Sequence, residues 1–149
     1  MNHQATVHPG EMVINYGLAV FDLTGPTGTP DGVADTIYVA DERAPATPAA
    51  NGGGIKKWTV SGTTWSLADT FNNGLGSAGV RGLAAHTSSA RVVLIATTAI
   101  ASPASNPNSN AILKYVDTGA AASTVNPTTL QGATAGANRV YRGVAVSPK

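Results

Sequence analysis

The feature that most limits how this chain can fold is a phrase that it repeats three times. Residues 79–85 read GVRGLAA, residues 140–146 read VYRGVAV, and residues 15–21 read NYGLAVF. Each copy sets a bulky or charged residue before a glycine and follows it with small and branched apolar residues. Gly17, Gly82 and Gly143 stand 65 and 61 residues apart. Self-similarity at a steady period marks a structural unit laid down more than once, in which each copy helps to cover the apolar face of the next.

The residues between the copies read as strands and loops. Residues 1–12 are polar and unpatterned, a tail or an added edge strand. Residues 13–23 carry β-branched and aromatic side chains and predict a strand, and 24–34, TGPTGTPDGVA, is a loop by its glycines and prolines. DTIYVA at 35–40 is a buried strand, 43–54 a second loop with a Gly-Gly-Gly run, and IKKWTV at 55–60 a third strand. A hairpin-sized turn at 61–64 leads into a fourth, 65–71, whose alternation sets Trp65, Leu67, Asp69 and Phe71 on one face. The series then runs again: 79–85 matches the first strand, RVVLIAT at 91–97 the second, AILKYV at 111–116 the third and 123–130 the fourth. A further strand at 139–148 gives nine in all. No stretch has helical periodicity, and the Ala-rich segments at 119–123 and 133–137 fall in loop positions.

Four short antiparallel strands on hairpin-sized links, repeated at a fixed period, are what one blade of a β-propeller requires. The stretch GGGIKKWTVSGTTWSLADTF, preceded by DTIYVADE and followed by GVRGLAA, resembles the blade repeats of bacterial exported and cell-surface propeller proteins. The resemblance implies an all-β propeller-type repeat over residues 13–149, with blade-like units at about 13–74 and 79–132, and an extracytoplasmic, secreted or cell-surface setting. It carries no catalytic residue. Two units and one strand fall short of the four blades or so that a propeller needs to close. Either copies of the chain complete the ring, three of them making six blades, or neighbouring blades of a longer chain do. A nine-stranded β-sandwich is the alternative architecture.

Composition narrows the partners. Only 11% of the 149 residues are charged, against about a quarter in an ordinary globular chain, so solubility rests on Thr, Ser, Asn and Gly. The net charge of +1 is spread without a basic patch, which argues against nucleic acid. No apolar run reaches the length of a membrane span, and residues 1–12 lack the apolar core of a signal peptide. There is no Cys, hence no disulfide, thiol nucleophile or thiolate metal site. Nothing resembles a phosphate loop, and no cofactor is expected; the triple glycine at 52–54 precedes a strand, not a helix, and its use reads as flexibility or a turn.

The candidate ligand-binding residues are few: Arg81, Arg142, Asp41, Glu42, Trp58 and Trp65. Arg81 and Arg142 stand just before their repeat glycines, where an innermost strand would aim them at a channel mouth. There they would hold an anion or an acidic glycan through bidentate contacts. The commoner use of such an arginine is an ion pair to the neighbouring unit, with Asp41 or Glu42 as partner. Asp41, Glu42 and Arg43, with Asp35 nearby, raise the idea of a cation site, but the second unit has Thr97, Thr98 and Ala99 there, so no ring of ligands would repeat. His3, His8 and His86 have no metal-ligand spacing, and His86 reads as a hydrogen-bonded surface residue. Trp58 and Trp65 flank a hairpin and suggest a sugar platform, yet the second unit has Tyr115 for Trp58 and nothing clear for Trp65, which favours packing between units. The expected function is thus a non-enzymatic structural or interaction module, with carbohydrate binding as the alternative and a propeller hydrolase a distant third. A hydrolase would need inward carboxylates or His in each unit, and only His86 and Asp22 lie near the innermost strands' ends.

Overall fold

The structure, a computed structural model, describes residues 17–23, 31–88, 91–99, 110–132, 141 and 143–145. Eight strands form in chain order: β1 (Leu18–Phe21), β2 (Thr36–Asp41), β3 (Gly54–Ser61), β4 (Thr64–Phe71), β5 (Val80–Ser88), β6 (Arg91–Thr98), β7 (Ile112–Asp117) and β8 (Thr128–Gln131). They make two antiparallel four-stranded sheets, β1-β2-β3-β4 (sheet A) and β5-β6-β7-β8 (sheet B), each with its strands side by side in sequence order. The all-β class and the division into two four-strand units follow the repeat in the sequence.

Local chemistry accounts for the links. β3 and β4 are joined by Gly62 and Thr63, and Gly62 has φ +61°, the conformation that a two-residue hairpin link of the II′ kind asks of its first central residue. Two boundaries differ from the sequence reading. β8 begins at Thr128 rather than near 123, because Ala122–Thr124 close a short 3-10 turn and Pro127, with no N–H to give a ladder, precedes the strand. Of the expected ninth strand, Tyr141 and residues 143–145 are described and are not in a strand, while its other residues lie outside the described ones.

The strand pairings fix which side chains share a face. In sheet A, Ala19, Tyr38, Lys57 and Asp69 form one cross-strand row, and Val20, Ile37, Trp58 and Leu67 form the next, on the opposite face. β4 carries one residue too many here: Lys57 pairs with Asp69 and Trp58 with Leu67, so Ala68 is a bulge. That extra residue breaks the alternation expected for β4. Asp69 and Phe71 face sheet B, whereas Trp65 and Leu67 face away from it.

The face of sheet A bearing Tyr38, Ala40, Ile55 and Phe71 packs against the face of sheet B bearing Leu83, Leu94, Leu113 and Tyr115, and these residues form the buried core. Phe71, Leu94 and Leu113 are at most 1% exposed, each stabilising the fold by about 1.5–3 kcal/mol on burial. The rings of Phe21, Tyr38, Phe71 and Tyr115 run through this layer in successive edge or tilted contacts, 5.9, 6.4 and 6.1 Å between centroids. Gly17 packs against β5, where a Cβ would fall 2.7 Å from the Leu83 Cβ and closer still to the Leu83 backbone nitrogen.

The two sheets are stacked head to tail. The repeated GLA matches Leu18 with Leu83, and IKKW against ILKY matches Lys56 with Leu113 and Trp58 with Tyr115. The ladders agree with both matches, since Leu18 joins Lys56 through Val39 just as Leu83 joins Leu113 through Ala96. Matched residues therefore lie on matched faces, which we term trailing. Sheet B buries its trailing face against sheet A. Sheet A buries the opposite, leading face, and its own trailing face is turned outward, with Leu18 and Val20 each 49% exposed.

A polar lock sits within this junction. Asp117, at the end of β7, accepts hydrogen bonds from the Tyr38 hydroxyl at 2.6 Å and the Gly119 N–H at 2.8 Å, and pairs with Lys57 Nζ at 2.7 Å. Burial opposes the Asp117 charge, but the donors from Lys57, Tyr38 and Gly119 outweigh it and hold the carboxyl below the usual range. Burial first, and then the Asp117 carboxylate, push the Tyr38 phenol well above its ordinary value, so it stays a donor. Because the folded pKa of Asp117 is depressed, the lock contributes fully above the unfolded value near 4 and is lost as pH falls through the folded value. Asp117→Asn is expected to cost about 2 kcal/mol in urea unfolding at pH 7. The gap between variant and parent should close as the buffer is taken below about pH 4, and a gap independent of pH would contradict the lock.

Candidate functional site

The strand ends nearest the repeat glycines bring together Asp41, Glu42, Arg43 and Arg81, and the backbone there explains where they point. Val80 pairs with Thr98 and Gly82 with Thr97, which leaves Arg81 without a partner in the ladder. Such a bulge re-aims its side chain, and this one turns the guanidinium toward sheet A. Arg81 Nε donates to Glu42 Oε1 at 3.0 Å and Nη2 donates to the same oxygen. The two side chains are 22% and 29% exposed, so the pair is partly shielded from water. Arg81 is thereby engaged as the inter-unit ion pair, with Glu42 as the partner.

Glu42 is delivered by the long link between β2 and β3, which is held against the segment before β5. A Cβ at Gly79 would collide with the carbonyl oxygens of Glu42 and Arg43, so only glycine permits this approach. The triple glycine serves the same purpose. Gly52 and Gly53 are buried against Arg43, Pro45 and Ala46, and the Gly53 N–H donates to the Ala44 carbonyl at 2.9 Å; of the two uses read from sequence, flexibility or a turn, this close packing argues against flexibility. Lys56 Nζ completes the link by donating to the carbonyls of Ala49 at 3.1 Å and Ala50 at 2.9 Å. Desolvation, with Arg43 adding to it and Asp41 opposing, lowers the Lys56 pKa.

Asp41 accepts from the Arg43 side chain and backbone, with Nη2 to Oδ2 at 2.6 Å. Burial works against its charge, yet these bonds hold its carboxyl below the ordinary range. Asp35 is not near it. Asp35 precedes β2 and Asp41 ends it, about 20 Å apart along an extended strand, and Asp35 instead accepts the Leu23 N–H at 3.0 Å and the Thr36 hydroxyl at 2.8 Å. The cation site suggested by these residues is therefore not assembled. Among the described residues no three His, Asp or Glu side chains converge on a point. Asp22 caps the loop that follows β1, accepting from the Asp31 and Gly32 N–H groups. His86 is exposed, its Nδ1 3.1 Å from the Thr87 carbonyl oxygen, and His3, His8 and Arg142 lie outside the described residues.

Trp58 and Trp65 lie on sheet A's trailing face, both half-buried, with Trp58 opposite Leu67 and Trp65 opposite Val60. They are remote from the Arg81–Glu42 pair, which lies on the side of sheet B. Tyr115, the counterpart of Trp58, is fully buried between the sheets, and its hydroxyl donates to the Asn73 carbonyl at 2.8 Å. Sequence reasoning missed Tyr38, Lys57 and Asp117, and also Asp69, whose Oδ2 accepts the Ala122 N–H at 2.6 Å. No local signal marks them, since the partners are 79 residues apart in one case and 53 in the other.

If Arg81 and Glu42 serve only each other, a double-mutant cycle of Arg81→Gln and Glu42→Gln should give a coupling of about 1 kcal/mol in thermal or urea unfolding. Added sulfate or citrate should then raise the melting temperatures of the parent and of Arg81→Gln by the same amount, the general effect of an excluded anion. An additional rise in the parent that disappears in Arg81→Gln would instead mark a binding site.

Comparison with protein-family models, with curated proteins and with solved structures finds no match to this chain.

Proposed function

We propose that the chain is a non-enzymatic, extracytoplasmic interaction module whose two sheets are adjacent blades of a β-propeller, completed by further blades from other copies or from a longer chain. The observation that carries this reading is the head-to-tail stacking. In a β-sandwich each sheet turns one face inward, and repeat-related residues would meet across the interior. Here Tyr115 is buried while Trp58 faces outward, and Leu83 is 7% exposed where Leu18 is 49% exposed. That is the relation between successive blades, and it leaves an apolar face at each end of the stack.

Two further facts favour a structural role over catalysis. The acidic groups at the strand ends are engaged by neighbours: Glu42 by Arg81, Asp41 by Arg43, and Asp117 by Tyr38 and Lys57. The innermost strands present mainly Leu, Ala and Val, with only His86 and Asp22 as acid or base candidates near their ends. The extracytoplasmic setting rests on composition, a chain of low charge and no Cys whose polar surface is Thr, Ser, Asn and Gly.

Light scattering across a dilution series tests the reading. The purified chain is expected to be larger than a monomer, with a trimer the favoured closed form. Trp58→Glu should shift it toward monomer while the far-UV spectrum stays that of the parent. A soluble, folded monomer at every concentration would overturn completion by other copies of the chain. Binding to one glycan that Trp65→Ala abolishes without changing the mass would replace assembly with the carbohydrate-binding reading.

A further inference from the structure

The apolar faces at the two ends of the stack are not merely exposed; the repeat makes them complementary. Sheet A's outward, trailing face is the counterpart of the sheet B face that already receives sheet A. Sheet B's outward, leading face carries Val93, Ile95, Ile112, Lys114 and Val116, half-buried in this chain. By the same sequence match, Ile112 corresponds to Ile55 and Lys114 to Lys57, residues that sit in the existing junction.

We propose that sheet A's trailing face, centred on Trp58, is the docking surface for the leading face of sheet B in a second copy of this chain. This rests on the reading of the sheets as successive blades, and adds that the missing blades come from the chain itself. The occupant follows from the chain's own interface: a leading face seated on a trailing face is the packing that already joins sheet A to sheet B. Such a contact uses two different surfaces of one molecule and is heterologous, so it propagates from copy to copy and closes into a ring when the rotation allows.

The match also says which residues meet. Lys57 lies 2.7 Å from Asp117 across the internal junction. Lys114 corresponds to Lys57, and Val60, two residues past Trp58, corresponds to Asp117. Lys114 of a second copy is therefore expected beside Val60, with its aliphatic stem on the apolar face and its ammonium at the rim.

The chain has no Cys, so paired cysteines report contacts cleanly. Val60→Cys with Lys114→Cys, treated with a short bis-maleimide, should give covalent dimers and larger species on a denaturing gel, linked through peptides containing positions 60 and 114. Either single variant should give none. A second pair, Asn73→Cys with Val125→Cys, reports the internal stack, where Asn73 Nδ2 donates to the Val125 carbonyl at 3.3 Å, and should link within one chain. If the internal pair links and the 60–114 pair does not, the second-copy proposal falls while the blade reading stands. If the internal pair also fails, both fall. Linked dimers from Val60→Cys alone would mean that two sheet A faces meet symmetrically, and this too would overturn the proposal.

Discussion

The structure depends on one junction, the packing of sheet A's leading face on sheet B's trailing face. Four-stranded sheets as short as these cannot each enclose a core, and their apolar side chains leave water only where the sheets meet. Tyr38 and Tyr115 are both fully buried there and both keep a partner for the hydroxyl, Asp117 in one case and the Asn73 carbonyl in the other. A buried phenol without such a partner would lose part of what its ring gains. The polar contacts thus allow large aromatic residues to fill the layer without a penalty at the tip.

The same junction explains the economy of charge. With 11% charged residues the chain has few side chains to spare, and several of them bind one segment to another. Asp117 ties β7 to β2 and β3, Glu42 and Arg81 tie the β2–β3 link to β5, and Asp69 holds the turn at Ala122 against β4. Each contact crosses between the sheets. Geometry is specified by these few polar pairs, and the cohesive energy comes from the apolar area around them.

Much of the fold was legible because its signals are local. β-branched runs mark β2 and β6, glycine and proline mark the loops, and the repeat fixes the number of strands per unit. The pairing of Arg81 with Glu42 was legible too, as one of two uses for an arginine beside a repeat glycine. What escaped was set by register and by distance along the chain. The Ala68 bulge moves Trp65 and Leu67 to the opposite face from Phe71, and alternation alone cannot show one extra residue. The Tyr38–Asp117 bond joins residues that no spacing rule connects. The ladders also move the counterpart of Glu42 from Thr98 to Ala99, since Val39 corresponds to Ala96.

That last shift bears on how the two kinds of junction differ. Within the chain the contact between sheets is apolar at its centre and locked by ionic pairs, Lys57–Asp117 and Arg81–Glu42. At the outward faces the repeat has kept the apolar centre and lost the acids, since Val60 stands for Asp117 and Ala99 for Glu42. Partly buried ion pairs add orientation more than net energy, because desolvation offsets their attraction. An internal junction that must form once, in one register, benefits from them. A second copy docked on the outward face as proposed would meet only apolar complementarity and one lysine, a contact of similar shape but looser specification that would separate on dilution. On that proposal the two acids, Asp117 and Glu42, distinguish the seam inside the chain from the one between copies.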